Sequence, residues 1–141
     1  IHLGDYYYEY GAEHYISPEM SEVGRLHQPR HEIVSLSDYR TRHAQYRTDP
    51  SLQAVTAKMP MIAIWDDHET SNDSWSTGAE NHQIDSEGTW NARKQAAMRA
   101  YYEWMPVRDP VPGKTREALF RAYHLGRTRV GVVRTLAFRR R

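Results

Sequence analysis

Four residues that can bind a cation follow a short apolar run near the middle of the chain. The run covers residues 61–65, and the polar residues behind it are Asp66, Asp67, His68 and Glu69. Adjacent carboxylates repel one another and lose solvation when they are buried, unless a positive charge lies among them. The pattern favours a metal site. A solvated polar loop, or acids that cap a following helix, would account for the same four residues.

The apolar run predicts a strand that is buried on both faces. It is unbroken, contains the β-branched residues Ile62 and Ile64, and is bounded by Pro60 in front and by charges behind. Such runs are typical of central strands in parallel sheets. In open α/β sheets, ligands bind beyond the carboxyl ends of the strands. The four polar residues therefore stand where such folds place their sites.

The start of the chain repeats this arrangement. Residues 1–3 read as the remnant of a strand, Gly4 follows, and Asp5 stands at the strand end. Tyr8 comes three positions after Asp5, so one helical turn after the strand would direct both side chains to the same centre. Two strand ends thus carry acids that can share one site.

Composition narrows the choice of cation. No cysteine occurs among the 141 residues, which excludes disulfides and thiolate metal sites within them. Oxygen and nitrogen donors remain, and they favour hard cations. No stretch approaches the roughly 18 apolar residues of a membrane span, and no signal peptide is visible. Because a strand begins at residue 1, we expect that the natural start of the protein is missing.

Charge is unevenly distributed along the chain. Residues 1–113 hold 10 basic and 17 acidic side chains, whereas residues 114–141 hold 9 basic ones and a single acid, Glu117. A cationic tail can bind nucleic acid or attract phosphate, but arginines at strand edges account for it more simply. We therefore expect no specific nucleic-acid partner, and we expect residues 111–141 to be truncated or non-native.

Two helix starts lie between the motifs. Ser35 and Asp38 form a capping box before the first helix, and Asp49 followed by Pro50 starts the second. A strand, two helices and a second strand form a crossover unit, which requires parallel strands. The side chains expected in the core are Tyr39 and Tyr46 on the first helix, and Leu52, Val55 and Met59 on the second.

A third helix is predicted from about Glu87 or Thr89 to Trp104, and Pro106 stops it. Its buried stripe would consist of Trp90, Ala97, Met98, Tyr101 and Met105.

The remaining segments read as loops and a hairpin. Residues 11–30 predict a long loop over the site and residues 70–74 a polar loop, while residues 118–125 and 129–138 predict two strands of a hairpin. The histidines of the long loop and its end are expected to be solvated rather than to bind metal; they are His14, His27 and His31.

The motifs form one collinear pattern over roughly residues 1–110. GDYYYEYG and WDDHETSND are joined by HEIVSLSDYRTRHAQYRTDPSLQAV and followed by GAENH and RKQAAMRAYYEWMPVR. As a whole, this pattern resembles the PhoD-like alkaline phosphatases of the calcineurin-like metallophosphoesterase superfamily. GDxxY or DDHE alone would be a weak signal.

The resemblance implies an α/β fold. Residues 1–141 would form a single partial domain, a fragment of a layered β-sandwich flanked by helices, in which helical crossovers join parallel strands. The implied reaction is the metal-dependent hydrolysis of phosphate esters, as in alkaline phosphatases and phosphodiesterases. The resemblance also implies that the parent protein is secreted or periplasmic.

The same resemblance implies a ligand set. Asp5 and Tyr8 would hold the first cation, with a phenolate ligand suited to Fe³⁺, and Asp67 the neighbouring cation, Ca²⁺. Asp5 is the candidate for the bridging carboxylate. Asp67 stands where many metallophosphatases have asparagine, and its added negative charge favours a hard divalent ion such as calcium.

Further roles follow from the family pattern. His68 would contact phosphate or protonate the leaving oxygen. Asn72 and Arg108 would orient phosphate, while Asp66 and Glu69 would support the ligands rather than bind metal themselves.

Two family motifs do not occur in these 141 residues: an early acidic or cysteine motif and a late histidine motif. Their absence favours an alternative, a metal- or phosphate-binding module without turnover. The oligomeric state and the substrate ester stay open.

Overall fold

The computed structural model describes residues 1–14, 18–117 and 121–132 of the chain. Helices and strands are mixed in this part of the protein. None of its helices is long and apolar enough to cross a membrane. In chain order the elements are α1 (Pro18–Glu22), α2 (Leu36–Arg47), α3 (Pro50–Lys58), α4 (Ile84–Glu87), α5 (Trp90–Trp104), β1 (Arg121–Leu125) and β2 (Thr128–Val132).

The capping box predicted for the first long helix is present at the start of α2. The Ser35 hydroxyl accepts a hydrogen bond from the Asp38 backbone N–H at 3.2 Å, and the Asp38 carboxylate accepts one from the Ser35 N–H at 2.8 Å. Tyr39 is fully buried, and Tyr46 packs against the core from a partly buried position. The predicted helix and its two core tyrosines are confirmed.

Helix α3 begins as predicted, but most of its expected apolar stripe is exposed. The Asp49 carboxylate accepts a hydrogen bond from the Leu52 N–H at 2.9 Å, and Pro50 is the first helical residue. Leu52 packs against the core. Val55 is 48% exposed and Met59 is 60% exposed, so the prediction that they are buried is wrong. Helix α3 contacts α2, and Leu52 is the member of the predicted stripe that packs against the core.

Helix α5 closes the core against α2. The Thr89 hydroxyl caps its start by accepting from the Ala92 N–H at 3.3 Å. Arg40 on α2 donates two hydrogen bonds of 2.7 Å to the Glu103 carboxylate on α5. The predicted stripe is confirmed, since its five members are all buried: Trp90, Ala97, Met98, Tyr101 and Met105.

The first residues and the apolar run at 61–65 lie side by side in parallel orientation. The His2 N–H donates to the Ile62 carbonyl at 2.8 Å, and the Ile64 N–H donates to the His2 carbonyl at 3.2 Å. Parallel pairing was predicted, and residues 63–65 are buried as expected. The prediction of a regular central strand is wrong for the described residues, because the pairing is a single bridge between His2 and Ala63.

A hairpin follows α5, as predicted. Strands β1 and β2 are antiparallel, and Leu125 pairs with Thr128 next to the turn. Residues 118–120 and 133–138 of the predicted hairpin lie outside the described residues.

The segment 11–30 was predicted as a long loop, and this is wrong for Pro18–Glu22, which form helix α1. The end of the segment is fastened to α2 by one buried arginine. The Arg42 guanidinium donates to main-chain carbonyls of two loop segments; the acceptors are Tyr8, Tyr10, Gln28 and Pro29. His27 is buried, and its Nδ1 lies 2.9 Å from the Tyr10 carbonyl, so the expectation that it is solvated is wrong. His14 and His31 are exposed, as expected.

Alanine at Gly4 is expected to destabilise the chain far more than alanine at another left-handed glycine. Gly4 has φ +105°, and a Cβ there would lie 2.3 Å from the Asp66 nitrogen. Gly88 has φ +80° and open space around it. Gly88→Ala should therefore lower the free energy of unfolding by about 1–2 kcal/mol. Gly4→Ala should lower it by about 1–3 kcal/mol more than Gly88→Ala does, because the added Cβ also clashes. Urea unfolding of both variants tests this, and equal losses would contradict it.

The buried His43 ring is expected to make stability depend on pH. Burial and the nearby Arg47 charge lower its pKa from 6.5 to about 3. Unfolding then takes up a proton between these two values, so the free energy of unfolding falls as the pH drops below about 6.5. His43→Phe should reduce this slope by up to about 1.4 kcal/mol per pH unit. Urea unfolding from about pH 7 to 4 measures the slope, and the exposed His31→Phe controls for loss of a histidine as such.

Candidate metal centre

A buried carboxylate joins the two segments that carry the candidate ligands. The Glu69 side chain is fully buried and accepts three backbone hydrogen bonds, from Asp5 N–H at 3.1 Å, Tyr6 N–H at 2.5 Å and Asp66 N–H at 2.7 Å. Burial raises the pKa of Glu69 to about 7, against the lowering effect of these three donors. Glu69 thus fixes the start of the chain beside the end of the apolar run.

The close approach of the two segments requires an unusual backbone. Gly4 lies against the backbone of residues 65–66, with no room for a Cβ, and Asp5 has φ +54°. A non-glycine residue in the left-handed region costs roughly 1–2 kcal/mol. The contacts of Glu69 offset this cost and aim the Asp5 carboxylate at the second segment.

Two of the predicted metal ligands, Asp5 and Asp67, come together with His68, which was predicted to contact phosphate or to protonate the leaving oxygen. Ligand atoms of Asp5, Asp67 and His68 all lie within 4.8 Å of one another. Burial raises the pKa of Asp5, and the nearby charges of Asp67 and Glu9 add to the shift, whereas His68 opposes it. Two carboxylates and an imidazole are a donor set that suits a hard or borderline cation. The residues present therefore fit a metal ion, which would also relieve the crowding of negative charge.

Tyr8 lies at the same cluster. Its hydroxyl hydrogen-bonds to the Asp5 carboxylate, which lowers the pKa of that acid. Its ring lies 4.0 Å from the His68 ring, measured between centroids. The predicted convergence of Asp5 and Tyr8 is therefore seen in the structure, although the segment around them is irregular rather than helical.

The loop after Asp67 wraps around its carboxylate. One Asp67 oxygen accepts from the His68 N–H at 3.1 Å and the other from the Asp73 N–H at 2.6 Å. The Asp67 carbonyl accepts from the Thr70 and Ser71 N–H groups at 2.7 and 2.8 Å. Residues 70–74 form the predicted loop, but it is tightly packed rather than solvated, because Thr70, Ser71 and Ser74 are buried.

Sequence reasoning missed Glu9, the partner of His68. The Glu9 side chain is fully buried, and its carboxylate lies 2.7 Å from His68 Nδ1. It also accepts from the Asn72 N–H at 2.6 Å and the Asn81 side-chain amide at 3.0 Å. Burial alone would raise the pKa of Glu9, but these three hydrogen bonds outweigh burial and lower it. The ionised carboxylate can only accept, so Nδ1 carries a proton and Nε2 is left for other partners.

A second buried arginine holds the loops behind the cluster. The Arg93 guanidinium donates to the Asn81 carbonyl at 2.8 Å and the Tyr39 hydroxyl at 3.1 Å. The Tyr39 hydroxyl donates in turn to the Thr70 carbonyl. The remaining donors of Arg93 pair with the carboxylates of Glu87 and Glu32 at 2.8 and 2.7 Å. Helix α5 thereby determines the position of the loops that surround Glu9 and His68.

The other predicted site residues lie around the cluster or beyond it. Asn72 directs its side-chain amide to the Glu80 carboxylate at 3.0 Å. Asp66 is half-buried and is held through its backbone by Glu69. Arg108 is exposed on the segment after α5. The roles predicted for these residues stay predictions.

Comparison with known proteins shows the family to which the chain belongs. Residues 1–139 match the family model described as PhoD-like phosphatase, and the chain belongs to that family. It is similar to alkaline phosphatase D of Bacillus subtilis (strain 168), with 42% identity over 127 residues, which cover 89% of this chain and 21% of that protein. The resemblance predicted from the motifs is confirmed.

A solved structure described as "Structure of PhoD" has a similar fold. It aligns with a TM-score of 0.79 and 39% identity, covering 99% of this chain and 26% of that chain. The chain thus spans about a fifth to a quarter of the proteins that it matches.

Replacing one acceptor oxygen of Glu69 by an amide group is expected to loosen the site and to destabilise the chain. Glu69→Gln places an amide among three buried N–H donors that need acceptors, so the free energy of unfolding should fall by about 2–4 kcal/mol. The matched control is Glu80→Gln at an exposed position, which should change it by about 0.5 kcal/mol or less. Urea unfolding at about pH 9, where the Glu69 carboxyl is ionised, measures the free energy of unfolding of both variants. Similar losses in the two variants would contradict the role of Glu69.

Proposed function

We propose that this chain carries part of the active site of a metal-dependent hydrolase of phosphate esters. The observation that carries the proposal is the cluster of Asp5, Asp67 and His68 within 4.8 Å, in a chain that belongs to the PhoD-like phosphatase family. Alkaline phosphatase and phosphodiesterase reactions both need a cation site beside a proton donor. The cluster contains residue types for both tasks.

In this proposal Asp5 and Tyr8 would hold Fe³⁺ and Asp67 would hold the neighbouring Ca²⁺, with Asp5 as the candidate for the shared ligand. The hydrogen bond between Tyr8 and Asp5 supports the assignment, because it places a phenol oxygen beside the bridging carboxylate. When bound, such cations activate the nucleophile and offset charge on the phosphoryl group. Asp66 and Glu69 support the ligands from behind.

His68 is the proposed proton donor to the leaving oxygen. Burial lowers its pKa, but the hydrogen bond and charge of Glu9, together with Asp67 and Asp5, outweigh burial and raise it. Glu9 also fixes the ring through Nδ1 and leaves Nε2 to face the ester. Asn72 and Arg108 are proposed to orient the phosphate. The layered β-sandwich, and the secretion or periplasmic location of the parent protein, belong to the same proposal.

Loss of Asp5, the proposed bridging ligand, or of Asp67, the proposed calcium ligand, should abolish hydrolysis. In the chain supplied with Ca²⁺ and Fe³⁺, Asp5→Asn and Asp67→Asn are each expected to lower the rate of phenyl phosphate hydrolysis by at least about 100-fold. Asp85→Asn, at an exposed position on α4, is the matched control and should leave the rate unchanged. Unchanged rates in the Asp5 and Asp67 variants would refute the assignment.

A metal- or phosphate-binding module without turnover is the second candidate. It is favoured by the small ligand set, because three residues within 4.8 Å suffice for one cation rather than two. Calorimetry with Ca²⁺ separates the two functions. Calcium binding that Asp67→Asn removes, without any hydrolysis of phenyl phosphate, supports the module, whereas binding together with hydrolysis supports the enzyme.

A further inference from the structure

A series of aromatic rings leads from the candidate metal centre to an exposed position. The Tyr8 ring lies 4.0 Å from the His68 ring, and the Tyr10 ring lies 5.7 Å from it on centroid distances. The Tyr10 ring in turn lies 5.3 Å from the His14 ring, with the planes tilted by 33°. His14 is exposed and Tyr10 is half-buried. Tyr10 and His14 are not used by the proposed reaction.

The backbone of Tyr10 is held in place by two polar contacts. The Tyr10 carbonyl accepts from Arg42 at 3.0 Å and lies 2.9 Å from His27 Nδ1. The turn that carries His14 is closed by its N–H, which donates to the Gly11 carbonyl at 3.2 Å. The Tyr10 ring is therefore held next to His68, and the His14 ring next to Tyr10, by a fixed backbone.

We infer that Tyr10 and His14 form a subsite for a planar aromatic leaving group. The inference rests on the proposed function, in which a water oxygen forms a bond to phosphorus, the ester P–O bond breaks and the leaving oxygen takes its proton from His68. A leaving group that receives this proton must lie beside His68, where Tyr10 is its neighbour. Aromatic faces prefer to pack against other aromatic groups in offset or edge-to-face arrangements. The site thereby selects aryl and arylmethyl phosphate esters over aliphatic esters of the same size.

Two non-hydrolysable ligands test this subsite in the full 141-residue chain. Benzylphosphonate and cyclohexylmethylphosphonate carry the same anionic group and side groups of similar size, but only the first is planar and aromatic. With Ca²⁺ present, we expect calorimetry to show that benzylphosphonate binds about 3- to 10-fold more tightly. Tyr10→Leu should abolish the preference, Tyr10→Phe should retain it, and His14→Ala should reduce it.

The controls distinguish an effect on this subsite from an effect on phosphate binding and from an effect on folding. Affinity for inorganic phosphate should be the same in all variants, and His14→Ala changes an exposed side chain that the core does not need. Equal affinities for the two phosphonates, binding of neither, or a preference that survives both Tyr10→Leu and His14→Ala would overturn the inference. Hydrolysis of phenyl phosphate is scored separately. Turnover without the preference rejects only the subsite, and the preference without turnover rejects only the enzyme.

Discussion

The clamp formed by Glu69 is the interaction on which the rest of the site depends. Its buried carboxylate accepts hydrogen bonds from the backbone of Asp5, Tyr6 and Asp66, which come from two segments far apart in the sequence. Without these bonds, three N–H groups would lack acceptors and the left-handed backbone at Asp5 would lose its support. Glu69 belongs to a candidate metal motif but binds backbone N–H groups instead. By joining the two segments, it brings Asp67 and His68 close to Asp5.

Two buried guanidinium groups extend this constraint to the surrounding loops. Arg42 on α2 donates to four main-chain carbonyls around the first motif, and burial lowers its pKa. Arg93 on α5 pairs with two carboxylates and the Asn81 carbonyl. Its interactions with Tyr39 and Glu32 outweigh burial and raise its pKa. Burying a guanidinium group costs free energy because it loses its hydration. Hydrogen bonds offset this cost only if every N–H donor of the group has an acceptor. The helices therefore position irregular backbone as strongly as they bury apolar side chains.

Local patterns in the sequence predicted helices α2, α3 and α5 and the hairpin, but not the short helices α1 and α4. Helix caps such as Ser35 and Asp49 act within four residues, so their hydrogen bonds can be read from spacing alone. The stripe on α5 was predictable because that helix has a partner along its length. The exposure of Val55 and Met59 was not, since burial depends on what packs against a helix. The single bridge between His2 and Ala63 likewise depends on neighbours that no local pattern describes.

The sequence by itself determined the types of chemistry available to this protein: two acidic motifs, an adjacent histidine and the absence of cysteine. It also determined the helices between the motifs and the family. Only the tertiary structure decided which acid does which task. The Glu69 carboxylate accepts hydrogen bonds from the backbone. The Glu9 carboxylate, for which no role was predicted, pairs with His68, which lies 59 positions away in the sequence. The physical reason is that a carboxylate's role depends on the donors around it, and these donors are brought together by long-range packing.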